Sequence, residues 1–425
     1  MPMLIKGARV IDPGHLDEQC DVLIRNGKIE AVRPAGHFTE IAGVEVIDAL
    51  GWWLTPGLID LHVHFREPGQ EYKETILSGS RAAAAGGFTA VCTMPNTLPV
   101  NDDPAITDYI LKKAAEAALV RVYPVAAISR GLKGEQLNEF GALKAAGAVG
   151  VSDDGRPVVS GQLMRRAMEY ASAFGLRVIS HCEDLALAGE GVMNESARGT
   201  RMGLAGIPNA AESVMVMRDI ALAEVTGVPV HIAHVSTRES VEAIRNAKQK
   251  GIEVTAETAP HYFTLTDEAV EGYNTNAKMN PPLRSNEDRE AVRRALADGT
   301  LDAVATDHAP HSILEKEVEF DRAANGVIGL ESALALGLRL VEEGVLDIGT
   351  LIERMAAAPA RILGLACGVR PGLAADLTLI DPQREFTFKA DALQSRSRNT
   401  PFDSWRFKGK AVMTIVGGTI VYREA

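Results

Sequence analysis

At 425 residues, with 46% hydrophobic and 24% charged side chains, the chain has material for a large core; it is neither a disordered segment nor one ordinary small domain. Its formal net charge of −12 excludes a surface built overall to neutralise phosphates, so neither nucleic acid nor a membrane is expected as a partner. No apolar run approaches the roughly 20 residues of a spanning helix. No secretory signal pattern opens the chain, and four scattered cysteines form no CxxC pair, so a cytoplasmic, reducing setting is expected.

In chain order, MLIKGARVID and DVLIRNGKIEAV read as strands, with Asn26-Gly27 as a hairpin turn. The far end reads alike: ADLTLID, REFTF and AVMTIVGGTIVYRE are strand-like, with a second turn at Gly417-Gly418. Between them, short apolar runs alternate with helix-compatible stretches, the pattern of βα units around a parallel sheet. The strand candidates are GLIDLHVH, GFTAVCTMPN, LVRVYPVAAIS, GAVGVSDD, LRVISHCED, VPVHIAHVS, IEVTAETAPH and LDAVATDH. Eight units predict an α/β fold, a (β/α)8 TIM-like barrel over residues 56–364. Residues 1–55 and 365–425 are expected to combine into one small β-sandwich. A doubly wound sheet would want a Gly-rich phosphate turn after its first strand, where HFREPGQ stands instead.

The polar residues gather at predicted C-terminal strand ends, the face on which barrel enzymes carry their sites. His62 and His64 close the first strand two residues apart, so both imidazoles face one side. His181, His234 and Asp307 close later strands, as does the pair Asp153-Asp154, whose alternation does not choose between the two acids. Four histidines and two carboxylates exceed the needs of one zinc and suit two cations sharing a bridging ligand and a hydroxide. His231 and His261 are read as packed or supporting a ligand from behind, His15 and His37 as exposed, and Cys182 as a buried thiol.

DLHVHFREPG at 60–69, TMPNT at 93–97, SDDG at 152–155, SHCED at 180–184, AHVST at 233–237 and ATDHAPH at 305–311 together closely resemble the bacterial type I dihydroorotases of the amidohydrolase superfamily. The resemblance implies a zinc-dependent cyclic amide hydrolase that interconverts dihydroorotate and N-carbamoyl-L-aspartate in pyrimidine synthesis. It implies His62, His64 and Asp307 as ligands of one Zn2+, His181 and His234 as ligands of a second, and Asp154 with a hydroxide as the bridge. In related hydantoinases and allantoinases a carboxylated lysine makes that bridge; here the closest upstream lysine is Lys144.

The implied mechanism is attack of the bridging hydroxide on the ring amide carbonyl, with Asp307 carrying the proton to the departing nitrogen. For substrate, the resemblance implies His64, Arg66, Asn96 and His311 around the carboxylate, and Asn280, Asn325 and Gly326 around the ring amides. Arg66 offers a planar fork for a carboxylate, the alternative being an ion pair with Glu67 or Glu71. The charged stretch 312–325 is expected to form a mobile lid, although Ala324-Asn325-Gly326 replaces the family's usual Pro-Phe-Gly. A homodimer is expected, and a complex with an aspartate transcarbamoylase is left open. The rival readings are another cyclic amidase and an inactive scaffold for that transcarbamoylase; the scaffold is disfavoured because every expected ligand is present.

Overall fold

The first apolar run forms β1 (Met3–Asp12), which pairs antiparallel with β2 (Leu16–Arg25). β2 turns into β3 (Lys28–Pro34) through Asn26 and Gly27, at φ 51° and 77°. Glycine is required at the second position, because a Cβ there would lie 2.9 Å from the carbonyl oxygen of Gly417. Two strands that the sequence did not reveal follow, β4 (Glu45–Asp48) and β5 (Trp53–Pro56), both parallel to β1. At four residues each they are too short to display an alternation. This computed structural model describes residues 2–38, 41 and 43–424.

The barrel strands then come in order: β6 (Leu58–Val63), β7 (Phe88–Thr93), β8 (Arg121–Ala126), β9 (Gly150–Val151) and β10 (Arg177–Ser180). A short excursion carries the parallel pair β11 (Met193–Asn194) and β12 (Gly206–Ile207). β13 (Val230–Ile232), β14 (Val254–Thr258) and β15 (Ala303–Val304) complete the parallel series. Closure comes just beyond β15, where the His64 N–H donates to the His308 carbonyl at 2.9 Å. Asp60 locks the same seam, its Oδ1 accepting from the N–H groups of His62 (3.1 Å) and Thr306 (3.0 Å). Two of the helices start at capping boxes, Thr75 before Ile76–Ala85 and Ser285 before Asn286–Asp298, each with its side chain accepting a first-turn N–H.

The chain ends with β16 (Leu377–Thr387), β17 (Arg406–Val416) and β18 (Thr419–Arg423). β16 pairs with β5, so strands from both ends of the chain share one eight-stranded sheet. That sheet wraps its own core, including Ile5, Val10, Val22, Leu54, Leu377, Leu379 and Ile415. ADLTLID and REFTF, read as two strands, are one strand with a register irregularity between Asp381 and Glu385. The connection 388–405 between β16 and β17 is no hairpin: it returns to the barrel. There Ser395 Oγ and the Arg396 N–H donate to Glu74, Ser397 Oγ donates to the Lys73 carbonyl, and Phe402 is buried in the barrel's core.

Candidate metal centre

The expected ligands meet at the C-terminal mouth of the barrel. Asp154 lies centrally: its Oδ1 is 3.3 Å from His62 Nε2, 3.6 Å from His181 Nδ1 and 3.5 Å from His234 Nε2, and its Oδ2 is 3.5 Å from His64 Nε2. Asp307 Oδ1 joins the same two histidines, 3.1 Å from His64 Nε2 and 3.7 Å from His62 Nε2. Two buried triads able to hold a cation result, His62/His64/Asp154 and Asp154/His181/His234, sharing one carboxylate. The choice that alternation left open is resolved by neighbours. Asp153 turns away to accept the Ser129 N–H at 3.0 Å and the Ser129 hydroxyl, while Asp154 faces the histidines.

The donor set fits metal ions on this structure's own terms. Among the described residues, the buried His62 Nε2 meets no partner in hydrogen-bond geometry, its nearest acceptor being Asp154 Oδ1 at 3.3 Å, an arrangement that suits a cation between the two. Its other nitrogen, Nδ1, is held 3.1 Å from Glu257 Oε1, and Glu257 Oε2 is 3.1 Å from His231 Nε2. His231 Nδ1 in turn meets Thr255 Oγ1 at 2.9 Å. A carboxylate behind a ligating imidazole selects the tautomer that leaves the metal-facing nitrogen with its lone pair. His64 is oriented by Asn96 Oδ1, 2.8 Å from its Nδ1, so that Asn96 first touches a ligand.

Opposite charges support one another within this cluster. Burial opposes ionisation of Asp154, but His62, His181 and His234 outweigh it and hold the carboxyl well below its usual range. Asp307 is likewise lowered against its burial, through His64 and His62. Glu257 is held down to about 2 by His231 and His62 despite burial. Burial also works against the charged imidazoles, yet Asp154 and Glu257 keep His62 well above its ordinary value, and Asp154 and Glu183 raise His181 to about 10. His64 shifts the other way, pulled down by burial and by Arg66 nearby. Its neighbour Arg66 is buried and, among the described residues, forms no ion pair with Glu67 or Glu71. Its Nε donates to the Pro310 carbonyl at 3.2 Å, and Glu67 instead accepts from the Ile76 N–H and the Tyr109 hydroxyl.

The residues expected around substrate line one cavity of 220 Å³ with the ligands: His64, Arg66, Asn96, Asn280, His311, Asn325 and Gly326. His311 Nε2 lies 2.8 Å from the Asn325 carbonyl. Asn280 Nδ2 donates to Glu183 at 3.1 Å, and Glu183 also touches His181 Nε2 at 3.4 Å. His261 is buried beside Tyr262, and Cys182 points to Ser180 and Asp219, away from the ligands. In the stretch 312–325, residues Ile313–Lys316 form a helical turn, and the buried Lys316 donates to the carbonyls of Lys278, Ala324 and Gly326. Sequence reading missed Glu183, Glu257, Glu74 and Asn399. Glu257 left a signal, as the one acid in the largely buried strand VTAET, and Glu183 stands in the SHCED segment beside His181.

Comparison with known proteins places the chain. The family described as Dihydro-orotase-like matches residues 51–240. Proteins named dihydroorotase are similar over essentially their whole length: that of Desulforapulum autotrophicum is 57% identical over 424 residues, covering 100% of both chains. That of Geobacter sulfurreducens is 59% identical, covering 99% of each. Among solved structures, the L-hydantoinase (dihydropyrimidinase) of Arthrobacter aurescens superimposes with a TM-score of 0.90 at 26% identity, over 100% of this chain and 96% of its own. A dihydropyrimidinase from Brevibacillus agri shares the fold at a TM-score of 0.87 and 22% identity, over 100% of this chain and 95% of that one. With full-length relatives at this level of identity, the chain belongs to the dihydroorotase family.

Proposed function

We propose that the chain is a type I dihydroorotase, which opens and re-forms the ring amide of (S)-dihydroorotate, with N-carbamoyl-L-aspartate as the ring-opened product, in pyrimidine synthesis. The observation that carries this reading is the shared carboxylate: Asp154 stands between two histidine pairs where a hydantoinase-type bridge would need a lysine. His62, His64 and Asp307 would hold one zinc and His181 and His234 the other, with Asp154 serving both. Nitrogen and carboxylate donors of this kind suit zinc. When bound, the ions supply Lewis acidity toward the amide carbonyl and lower the pKa of a water between them.

The chain's own residues do the rest. Asp307, at the edge of the cluster and kept ionised, accepts the proton from the attacking water at a carboxylate oxygen and delivers it to the departing ring nitrogen. Ring closure retraces this path. Arg66 and His311 bind the substrate carboxylate from one wall, with Asn96 and His64 beside them, while Asn280 and the backbone of Asn325 and Gly326 meet the ring amides. Burial of Arg66 strips its water, which strengthens its pairing with an anion.

The domain division at residues 56 and 364, a cytoplasmic location, a homodimer and assembly with a transcarbamoylase belong to the same reading. Sizing of the purified protein with and without an aspartate transcarbamoylase tests the last two. Among the described residues no helix is long and apolar enough to cross a membrane. The central test joins metal analysis to a ring-opening assay. Two zinc ions per chain with turnover of dihydroorotate are expected; substantial turnover by metal-free protein, or none by the zinc-loaded form, would overturn the reading.

A further inference from the structure

Asn399 belongs to the C-terminal return 388–405, far in sequence from every ligand, yet it is buried against the wall of the site cavity. Its carboxamide is fully engaged with the two segments assigned to substrate. Oδ1 accepts the His311 N–H at 3.0 Å, and Nδ2 donates to the carbonyls of Ala309 (2.9 Å) and Gly326 (3.0 Å). Its own carbonyl accepts the Ile328 N–H at 3.0 Å. The two segments also touch directly, through the Ala309 N–H on the Val327 carbonyl at 2.8 Å. Their approach is so close that a Cβ at Gly326 (φ 129°) would sit 2.5 Å from the Ala309 Cβ.

We propose that Asn399 is a positioning residue for substrate: it fixes the spacing between His311, on the carboxylate side, and Asn325-Gly326, on the ring-amide side. It touches neither the reacting atoms nor the metal ligands, so it sets binding and leaves the chemical step alone. A primary amide is the group that suits this place, because one face must accept and the other must donate twice. The small β domain thereby takes part in recognition, since the segment that reaches the barrel mouth is the connection between two of its strands.

The inference rests on the dihydroorotase reading, and the experiment separates the two. Zinc-loaded wild type, Asn399→Ala and the isosteric Asn399→Asp are compared for KM and kcat with dihydroorotate, for binding of orotate as a planar, non-reacting carboxylate, and for zinc content. Asn399→Asp keeps the acceptor for His311 but sets a carboxylate against two carbonyl oxygens, so it tests the donor half without leaving a cavity. Expected are a KM raised about 10-fold, orotate binding weakened in parallel, kcat within about threefold and zinc content unchanged. Unchanged KM and orotate binding in a folded variant overturn the inference, as does a fall in kcat that follows zinc loss. If Asn399→Ala does not fold, Asn399→Asp decides alone. Failure of the wild type to open dihydroorotate sinks the functional reading instead.

Discussion

The small sheet and the barrel mouth both contain residues forced to positive φ, and they handle the cost in opposite ways. In the sheet, the turns fall on Asn26-Gly27 and Gly417-Gly418, residue types that enter this region at little or no steric cost. At the mouth, Arg66 (φ 62°), His234 (φ 37°) and Asp307 (φ 48°) adopt it with full side chains. Each such residue costs on the order of 1–3 kcal/mol, which only surrounding structure can offset. For His234 that surrounding is visible: Glu212 accepts the N–H groups of Ser236 and Thr237 and both their hydroxyls, clamping the turn. The sheet places special residues at its turns, whereas the mouth holds residues with full side chains in costly conformations, as the proposed roles of Arg66, His234 and Asp307 require.

From that contrast, substitutions at the mouth are expected to act on turnover and those in the sheet on stability. The largest effect is expected for Asp307→Asn, a loss in kcat of about 10³-fold, measured by ring opening on protein whose zinc content is determined alongside. Retention of most activity would remove the proton-shuttle role. Next comes Glu257→Gln, which deprives His62 of its anionic partner and should weaken zinc affinity about 10-fold in a chelator competition. An unchanged affinity would make Glu257 a packing residue.

The pH dependence of metal uptake sharpens the same picture. Without metal, His62 is held well above its usual value and His181 near 10, so near pH 7 both carry protons, and zinc requires them neutral. Protons are therefore released on binding, and apparent affinity rises with pH up to about 10 and falls as pH is lowered. Calorimetric titrations in two buffers of different ionisation enthalpy should differ; identical heats would count against protonated ligands. The smallest effect lies in the sheet. Gly27→Ala, strained by its φ and by the Gly417 carbonyl, should cost ~1–2 kcal/mol in denaturant unfolding and leave kcat of the folded enzyme unchanged. The lid reading of 312–325 adds a comparison within the mouth: hydrogen exchange there should slow on ligand binding, and equal rates would dismiss it.

Much of this molecule could be read along the chain. Period-two alternation placed His62 and His64 on one side of a strand, and the eight apolar runs named the eight barrel strands, because burial of a parallel sheet on both faces leaves continuous apolar segments. The acids and histidines closing those runs marked the mouth. The turn pairs at 26–27 and 417–418 marked the β-rich ends, since each demands a conformation few residues accept.

The tertiary structure alone decided the rest, and the reason is separation along the chain. Glu257 meets His62 across 195 residues, and Asn399 reaches Gly326 across 73. Such contacts leave no local periodicity to read. Asp153 and Asp154 are chemically identical neighbours that alternation does not separate, and the resemblance alone pointed to Asp154; in the structure Ser129 stands on one side and four imidazoles on the other. Local sequence determined which residue types stand at the strand ends. Closure of the barrel on its first strand, and the return of the C-terminal segment to its mouth, determined which of them face one another.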